Sequence, residues 1–196
     1  MRARLTLREL DRNQFLASLE ACAGVYAAAM NPPAEQLPGR YVIMERHSGY
    51  AAFRAIAAIV LPDGGEPAES TAPGGQWWHD VVRRAAASVL GARAADDWFD
   101  DSLEIAEVHV LPGYQGRGTG LAMMLRLTGG RPERSAVLST MDANTRARRL
   151  YHGLGFTDLL TGFEFPGTDL PYAIMGAPLP LQGASPGSAR PDKPSR

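Results

Sequence analysis

The chain has 196 residues, which suits one ordinary domain and is too short for two full ones. Hydrophobic residues make up 45% of it, and the formal net charge of −1 gives no overall attraction to nucleic acid or to an anionic membrane. The single Cys22 excludes an internal disulfide, and the four histidines form no metal-binding pattern with it. No apolar run reaches the ~20 residues of a membrane span, and the N-terminus has no signal-peptide hydrophobic region. We therefore expect a cytoplasmic protein.

The first hundred residues alternate between strand-like and helix-like segments. Ala3, Leu5 and Leu7 share one face of a predicted first strand. Asp11 can cap a helix that runs to about Met30 and ends at the following Asn-Pro-Pro. The next predicted elements are a short helix at 40–46, a strand at 52–61, a polar loop at 62–76 and a helix at 77–95.

The second half continues the alternation and ends in strands. The predicted elements are a strand at 103–111, a helix at 118–128, a strand at 136–140, a helix at 144–154 and strands at 163–165 and 172–175. From residue 181 the chain has almost nothing to bury, so we expect a folded domain at 1–180 and a disordered tail at 181–196. The order of elements predicts a mixed α/β sheet.

A glycine-rich turn, QGRGTG at 115–120, lies between a strand-like and a helix-like run. The first N–H groups of a helix lack partners inside it, and the helix dipole adds positive charge there. Glycines let an anion approach such a backbone closely, so the turn can bind phosphate. The turn fits neither the nucleotide P-loop, because Leu121 and Ala122 follow its last glycine, nor the dinucleotide fingerprint. A tight turn without a ligand is the alternative.

The turn and a second motif together resemble the GNAT superfamily of acyl-CoA-dependent N-acetyltransferases. Gln115, Gly118 and Gly120 match its Q-x-x-G-x-G loop for the coenzyme A pyrophosphate. The segment NTRARRLYHGLGF at 144–156 is similar to the helix beside the pantetheine arm. The resemblance covers about 103–165 and implies a GNAT-like, mostly antiparallel mixed sheet flanked by helices. The family usually has a strand hairpin before its third helix, but here the partner of strand 52–61 would fall in the polar loop.

The strand 103–111 changes its apolar parity halfway. Leu103 and Ile105 are apolar at odd positions, whereas Val108 and Val110 are apolar at even ones. An extra residue near Ala106, a β-bulge, would bring all four to one face and Glu104, Glu107 and His109 to the other. A strand buried on both faces is the alternative. The resemblance supports the bulge, because the family's corresponding strand has one that opens a cleft for pantetheine.

The resemblance also implies catalytic roles. An amine must lose a proton before it attacks a thioester, and Glu104 is the first candidate for the base, with Glu107 and His109 as rivals. The backbone N–H of Val110 would stabilise the oxyanion. Tyr151 matches the acid that protonates the departing thiolate, although it could instead be a core tyrosine.

Further residues are predicted to contact acetyl-CoA, the expected co-substrate. They are Val108, Val110, Gln115, Gly116, Arg117, Gly118, Thr119, Gly120 and Asn144. Asn144 could instead cap its helix. Of the arginines, Arg117 is the stronger candidate for the coenzyme phosphates, and 146, 148 and 149 read as a solvated helix face. Trp77 and Trp78 anchor their helix in the core or line the acceptor pocket.

These observations predict transfer of an acetyl group from acetyl-CoA to an amine of a small molecule or peptide, by direct attack in a ternary complex. No metal is implied, and no nucleic acid or membrane partner is expected. A homodimer is possible because relatives often dimerise. The alternative is a non-catalytic acyl-CoA-binding module on the same fold.

Overall fold

The computed structural model describes residues 4–50, 52–61, 76–166, 168 and 170–182. Its helices are α1 (Arg12–Ala17), α2 (Leu19–Met30), α3 (Leu37–His47), α4 (Gln76–Leu90), α5 (Ala92–Phe99), α6 (Thr119–Thr128) and α7 (Arg146–Gly153). Its strands are β1 (Arg4–Leu10), β2 (Ala55–Leu61), β3 (Ser102–Ile105), β4 (Ser135–Met141), β5 (Thr157–Glu164) and β6 (Pro171–Pro178). Short 3-10 turns lie at Ala34–Gln36 and Pro112–Tyr114.

The strands form two sheets. β1 pairs antiparallel with β2, and the other four lie in the order β3-β4-β6-β5. Only β3 and β4 run parallel in the recorded ladders, and the remaining neighbours are antiparallel. Helices flank these strands, so the predicted mixed, mostly antiparallel α/β fold is confirmed.

Two predicted helices are each split in the structure. Asp11 and Gln14 form a reciprocal capping box at the start of α1, as predicted for Asp11, but the helix ends at Ser18 and α2 begins at the next residue. The Ser18 hydroxyl donates to the Gln14 carbonyl at 2.9 Å, so its side chain competes for a backbone group at this break. Gly91, at φ 90°, separates α4 from α5.

Three clusters of buried side chains hold the elements together. The first core cluster includes Ile105, Met124, Leu138, Tyr151 and Phe156 and packs α6 and α7 against the larger sheet. The second joins α1–α3 to the β1-β2 pair, and Cys22 is buried in it. The third lies under α4 and α5.

The change in apolar parity along 103–111 coincides with the end of β3 at Ile105. Leu103, Ile105, Val108 and Val110 all belong to the first core cluster or pack against it, so the predicted grouping on one side is confirmed. The regular ladder is shorter than the predicted strand, because it ends at Ile105 opposite Leu138. β4 continues to Met141 with β6 as its recorded partner. The segment 106–110 therefore forms no recorded ladder with β4 among the described residues.

Two sequence predictions concern residues that the structure does not describe. One is the polar loop, at 62–75, which the family's usual hairpin strand would occupy, and the other is the tail from 183. Of the described strands, β1 is the partner of β2. Leu181 is buried and belongs to the first core cluster, so ordered packing reaches one residue past the predicted domain end. The rest of the predicted tail, 183–196, lies outside the described residues, so its disorder stays a prediction.

Candidate active site

The glycine-rich turn is built by backbone conformations that favour glycine. Gly116 and Gly118 have φ values of 71° and 81°, in the left-handed region. Gly118 is the N-cap of α6, and the first intrahelical bond runs from the Ala122 N–H to the Gly118 carbonyl at 2.9 Å. The N–H groups that precede Ala122 in the first turn point along the helix axis, away from the helix body. This end of α6 presents partial positive charge to an anion.

Polar side chains fasten the turn to its neighbours. The Gln115 amide donates to the Val110 carbonyl at 2.9 Å, which ties the turn to the segment that leaves β4. Thr119 is buried, and its hydroxyl donates to the Tyr114 carbonyl at 3.2 Å. The Arg117 guanidinium lies over the Tyr114 ring, 5.6 Å from its centre.

Gly120 is required by close packing rather than by its φ value. A Cβ at this position would lie 3.2 Å from Leu150 Cδ2 and 3.9 Å from Val110 Cγ2. The start of α6, the 106–110 segment and α7 therefore converge here. This convergence packs the glycine turn against α7 and the segment 106–110.

The three arginines of α7 have different contacts. Arg148 pairs with Asp142 and Asp158 and so belongs to a structural ion network. Arg149 donates to the side-chain oxygen of Asn144 at 2.7 Å and to its carbonyl at 2.9 Å. Arg146, by contrast, reaches the turn: its Nη1 lies 3.6 Å from the position that a Cβ on Gly116 would take. Reading this helix as one solvated face missed that difference, because residues 146 and 116 are far apart in sequence.

Asn144 does not cap α7. The cap is Thr145, whose hydroxyl accepts from the Arg148 N–H at 3.0 Å. Asn144 is exposed, and its side-chain oxygen accepts a hydrogen bond from the Arg149 guanidinium near the N-terminus of α7. The contact between Asn144 and the coenzyme stays a prediction.

Between α2, α3 and the segment 106–110, the buried Glu107 is the centre of a charged cluster, here called the Glu107 cluster, made of Tyr26, Arg40, Glu107 and His109. The Glu107 side chain is 2% exposed and accepts from both the Arg40 guanidinium and His109 Nε2, the latter at 2.5 Å. Arg40 lies over the Tyr26 ring at 4.6 Å, and His109 meets the same ring edge-on at 5.1 Å. Sequence reasoning missed Tyr26 and Arg40, which carry no local motif.

Electrostatics in the Glu107 cluster keep the carboxylate ionised. Burial by itself raises the pKa of Glu107, but the hydrogen bond from His109 and the charge of Arg40 outweigh it, so the pKa lies below its usual value. His47 lies near this carboxylate, and burial is the main cause that lowers its pKa. The Arg40 Nε and His47 Nδ1 atoms are buried and have no hydrogen-bond partner in the part of the chain that the structure describes.

The other two catalytic candidates lie on different elements, β3 and α7. Glu104 is half-buried within β3, where its Cα is paired with that of Val137. Tyr151, on α7, is 6% exposed and packs in the first core cluster with its ring 5.9 Å from that of Phe156. Burial raises the pKa of Tyr151 to about 12, so the hydroxyl stays protonated at neutral pH.

The two tryptophans have different surroundings. Trp78 packs against the third core cluster and donates from its indole N–H to the Ser139 hydroxyl at 3.2 Å. Trp77 is 60% exposed and lies 6.5 Å from the Phe165 ring, near the hairpin of β5 and β6. Trp78 is therefore the anchor, and Trp77 presents its surface to solvent.

The described residues contain no helix that combines the length and apolar character required to cross a membrane. They also contain no group of three or more His, Cys, Asp or Glu side chains that could hold a metal ion.

Comparison with known proteins gives a consistent result. A curated GCN5-like protein acetyltransferase of Mycobacterium tuberculosis is 34% identical over 188 residues, covering 80% of this chain and 89% of the relative. The solved structure of yncA from Salmonella typhimurium with its cofactor acetyl-CoA has a TM-score of 0.57 at 21% identity, covering 95% of this chain and 99% of that one. NAA60 of Arabidopsis thaliana, in complex with acetyl-CoA, has a TM-score of 0.59 at 17% identity, covering 90% of this chain and 100% of that one.

The two structural neighbours support the fold, and the sequence matches extend to the family. The model of the acetyltransferase (GNAT) family matches residues 46–156, which include β2, the segment 106–110, the glycine turn and α7. The resemblance drawn from the two motifs is thereby confirmed: the chain belongs to the GNAT acetyltransferase family.

Proposed function

We propose that the protein transfers the acetyl group of acetyl-CoA to an amine of a peptide or small molecule, by direct attack in a ternary complex. The observation that carries this proposal is the end of the β3–β4 ladder at Ile105, beyond which the segment 106–110 forms no recorded ladder with β4. This segment is joined to the glycine turn of α6 through Gln115 and contains Glu107 and His109 of the Glu107 cluster. Family membership supports acetyl transfer, and the acetyl-CoA bound to two structural neighbours supports the co-substrate.

The proposed coenzyme site uses mainly backbone groups. The N–H groups at Gly116, Gly118, Thr119 and Gly120 would bind the pyrophosphate, with Gln115 and Arg117 beside them. Arg146 is added to the predicted set because its guanidinium lies against Gly116. The backbone of Val108 and Val110 would hold the pantetheine and acetyl group, and Asn144 would border the same arm.

The proposed chemistry needs a base, an oxyanion donor and an acid. Glu104, Glu107 and His109 are the candidates for the base, all on β3 or its continuation. The Val110 N–H would stabilise the tetrahedral oxyanion. The Tyr151 hydroxyl would protonate the coenzyme thiolate as it leaves, and its raised pKa keeps the proton available.

Two observations bear on the acceptor. The Mycobacterium tuberculosis relative is named a protein acetyltransferase, which favours a lysine side chain or a peptide terminus as the first acceptor to test. The acceptor would enter between α2, α3 and the segment 106–110, where the Glu107 cluster lies.

A cytoplasmic location and a homodimer stay predictions from the sequence. Cell fractionation tests the location, and light scattering tests the homodimer.

The direct test is free-thiol release from acetyl-CoA with a panel of lysine peptides, peptide N-termini and small amines. Tyr151→Phe is expected to lower kcat by about 10²-fold or more while acetyl-CoA binding is retained. Tyr41→Phe, which alters a tyrosine of the second core cluster, is the matched control. Tight acetyl-CoA binding without turnover of any amine would instead identify a non-catalytic acyl-CoA-binding module.

A further inference from the structure

We propose that Arg40 and Glu107 are positioning residues, whose ion pair fixes the segment 106–110 against α3 and so holds the Val110 N–H in place for the oxyanion. This inference rests on the proposed function and deepens it, because it removes Glu107 from the candidates for the base and gives Arg40 a role in the reaction. The geometry carries it: the pair joins α3 to a segment that forms no recorded ladder with β4 among the described residues.

The segment 106–110 depends on contacts other than strand pairing. The β3–β4 ladder ends at Ile105, and in the described part of the chain no recorded ladder includes 106–110. Backbone outside a hydrogen-bonded ladder has more conformational freedom, so its course must be fixed by other contacts. A backbone N–H that stabilises an oxyanion needs a fixed position, because its contribution depends on preorganisation.

Side chains attach this segment to two parts of the molecule. Val108 and Val110 pack against the first core cluster. Glu107 instead contacts α3, where it accepts a hydrogen bond from the Arg40 guanidinium. Glu107 lies three residues before Val110, which is at most about 10 Å of backbone. A shift of the carboxylate therefore reaches the proposed oxyanion donor through a short piece of chain.

Burial makes the ion pair dependent on both of its members. The Glu107 side chain is 2% exposed, and that of Arg40 is 25% exposed. The Arg40 guanidinium also lies over the Tyr26 ring, 4.6 Å from its centre, so α2 and α3 both hold the cation. Removal of one member of a buried pair leaves an uncompensated charge, whereas replacement of both by neutral side chains is often tolerated.

The same contacts make Glu107 unsuited to take a proton from the acceptor. A base must come within hydrogen-bond distance of the amine or of one bridging water, and the buried Glu107 side chain offers almost no surface for either. Its Oε2 atom is already hydrogen-bonded to Arg40 and to His109 Nε2, the latter at 2.5 Å. Burial raises the pKa of Glu107, but the contacts with His109 and Arg40 outweigh it and hold the pKa below its usual value, which weakens the carboxylate as a base. Glu104 and His109 stay candidates for the base.

The positioning role differs from a role in stability alone by its effect on kcat. A pair that only stabilised the fold would leave kcat of the folded enzyme unchanged. A displacement of about 1 Å at a reacting group can lower the rate about 10²-fold. Because the glycine turn would hold the pyrophosphate, loss of the pair should lower kcat more than it lowers the affinity for acetyl-CoA.

The kinetic test compares Arg40→Met, Arg40→Lys, Glu107→Gln and the double variant Arg40→Met/Glu107→Gln by thiol release, at a temperature where each variant is folded. Arg40→Met is expected to lower kcat by about 10–100-fold, because the carboxylate left without its cation moves toward water with its segment. Arg40→Lys keeps the charge and should lie between Arg40→Met and the wild type. The double variant has no charge at either position, so its kcat should stay within about fivefold of the wild type. The Kd for acetyl-CoA should change by no more than about fivefold in all four.

A base at Glu107 predicts the reverse order. Glu107→Gln and the double variant would then both lose about 10²–10⁴-fold, whereas Arg40→Met would keep the carboxylate and be the fastest of the three. That order would overturn the proposal, as would an Arg40→Met variant with the kcat of the wild type. If Arg40→Met does not fold, Glu107→Gln and the double variant still decide between the two roles. Arg83→Met and Glu45→Gln, which are the same substitutions at more exposed positions, should leave kcat unchanged.

A second measurement does not depend on turnover. The methyl groups of Val108 and Val110 should show NOEs to the first core cluster in the wild type, since they pack against it. These NOEs should weaken in Arg40→Met and return in the double variant, whereas Arg83→Met should leave them unchanged. Unchanged NOEs in Arg40→Met would overturn the positioning role. Absence of turnover by the wild type would instead contradict the proposed function, and the NOEs would still report how the segment is held.

Discussion

The glycine turn and the Glu107 cluster both involve the segment 106–110 but are constructed by opposite means. The turn uses consecutive residues, positive φ values and backbone N–H groups, and most of it is exposed to solvent. The Glu107 cluster brings together residues 26, 40, 107 and 109 from three segments and buries an ionised carboxylate among them. We expect the turn to tolerate side-chain changes outside its glycines, whereas the cluster should depend on every charge it holds.

The largest effect is expected at Arg40. Arg40→Met would leave the buried Glu107 carboxylate with His109 as its remaining described partner, and should lower the free energy of unfolding by about 3 kcal/mol. Urea denaturation measures it. Arg83→Met removes exposed ion pairs to Asp96 and Asp100 and should cost no more than about 1 kcal/mol. Equal losses in the two variants would contradict the special dependence of the cluster on charge.

A smaller, pH-dependent effect is expected at Glu107. Its pKa is lower in the folded protein than its ordinary value of 4.5, so the ionised form stabilises the fold above that pH. The contribution is lost as the pH falls through the folded-state pKa. The difference in unfolding free energy between the wild type and Glu107→Gln should therefore be largest near about pH 7 and narrow toward about pH 3.5. A difference that does not change with pH would show that ionisation of Glu107 adds nothing.

In the turn, the expected effects are on ligand affinity. Gly118→Ala places a side chain at φ 81° and should weaken acetyl-CoA binding about tenfold, because about 1–2 kcal/mol of backbone strain shifts the amides. Calorimetric titration measures the Kd. Gly113 lies in the preceding 3-10 turn, where an added Cβ would meet nothing within 4 Å, so Gly113→Ala is the matched control. If the two substitutions weaken binding equally, the positive φ is not the reason for glycine.

The smallest effect distinguishes two arginines of α7. Arg146→Ala should weaken acetyl-CoA binding by about three- to tenfold, and the loss should shrink at high salt because the contact is exposed. Arg148→Ala should lower thermal stability instead, since it removes the pairs to Asp142 and Asp158. The reverse assignment, with Arg148 controlling affinity, would place the coenzyme phosphates on the other side of the helix.

Sequence patterns predicted most elements, with errors at the boundaries. Asp11 capped its helix as expected, yet the helix broke at Ser18, where a hydroxyl competes for the backbone. The parity change correctly predicted which residues of 103–110 share a side, but it did not reveal that the ladder ends at Ile105. Strand pairing depends on the position of β4, which no local pattern contains.

The candidate site divides in the same way. Gln115, Gly116 and Gly118 were predicted as site residues from their spacing, and the positive φ values of the two glycines agree with a left-handed turn before a helix. Tyr26 and Arg40 had no such signal. In the sequence, Arg40 is one basic residue at the start of a predicted short helix, and only its contact with Glu107 distinguishes it from a surface charge.

Local sequence patterns were enough to predict the family, the order of the elements and the glycine turn at the start of α6, because these follow from backbone rules that act over a few neighbouring residues. The tertiary structure decided which of three neighbouring titratable residues is buried and which partners hold it. That outcome depends on α2 and α3 packing against the segment 106–110, since the pKa of a carboxylate depends on the burial and charges around it rather than on the residues next to it in the chain.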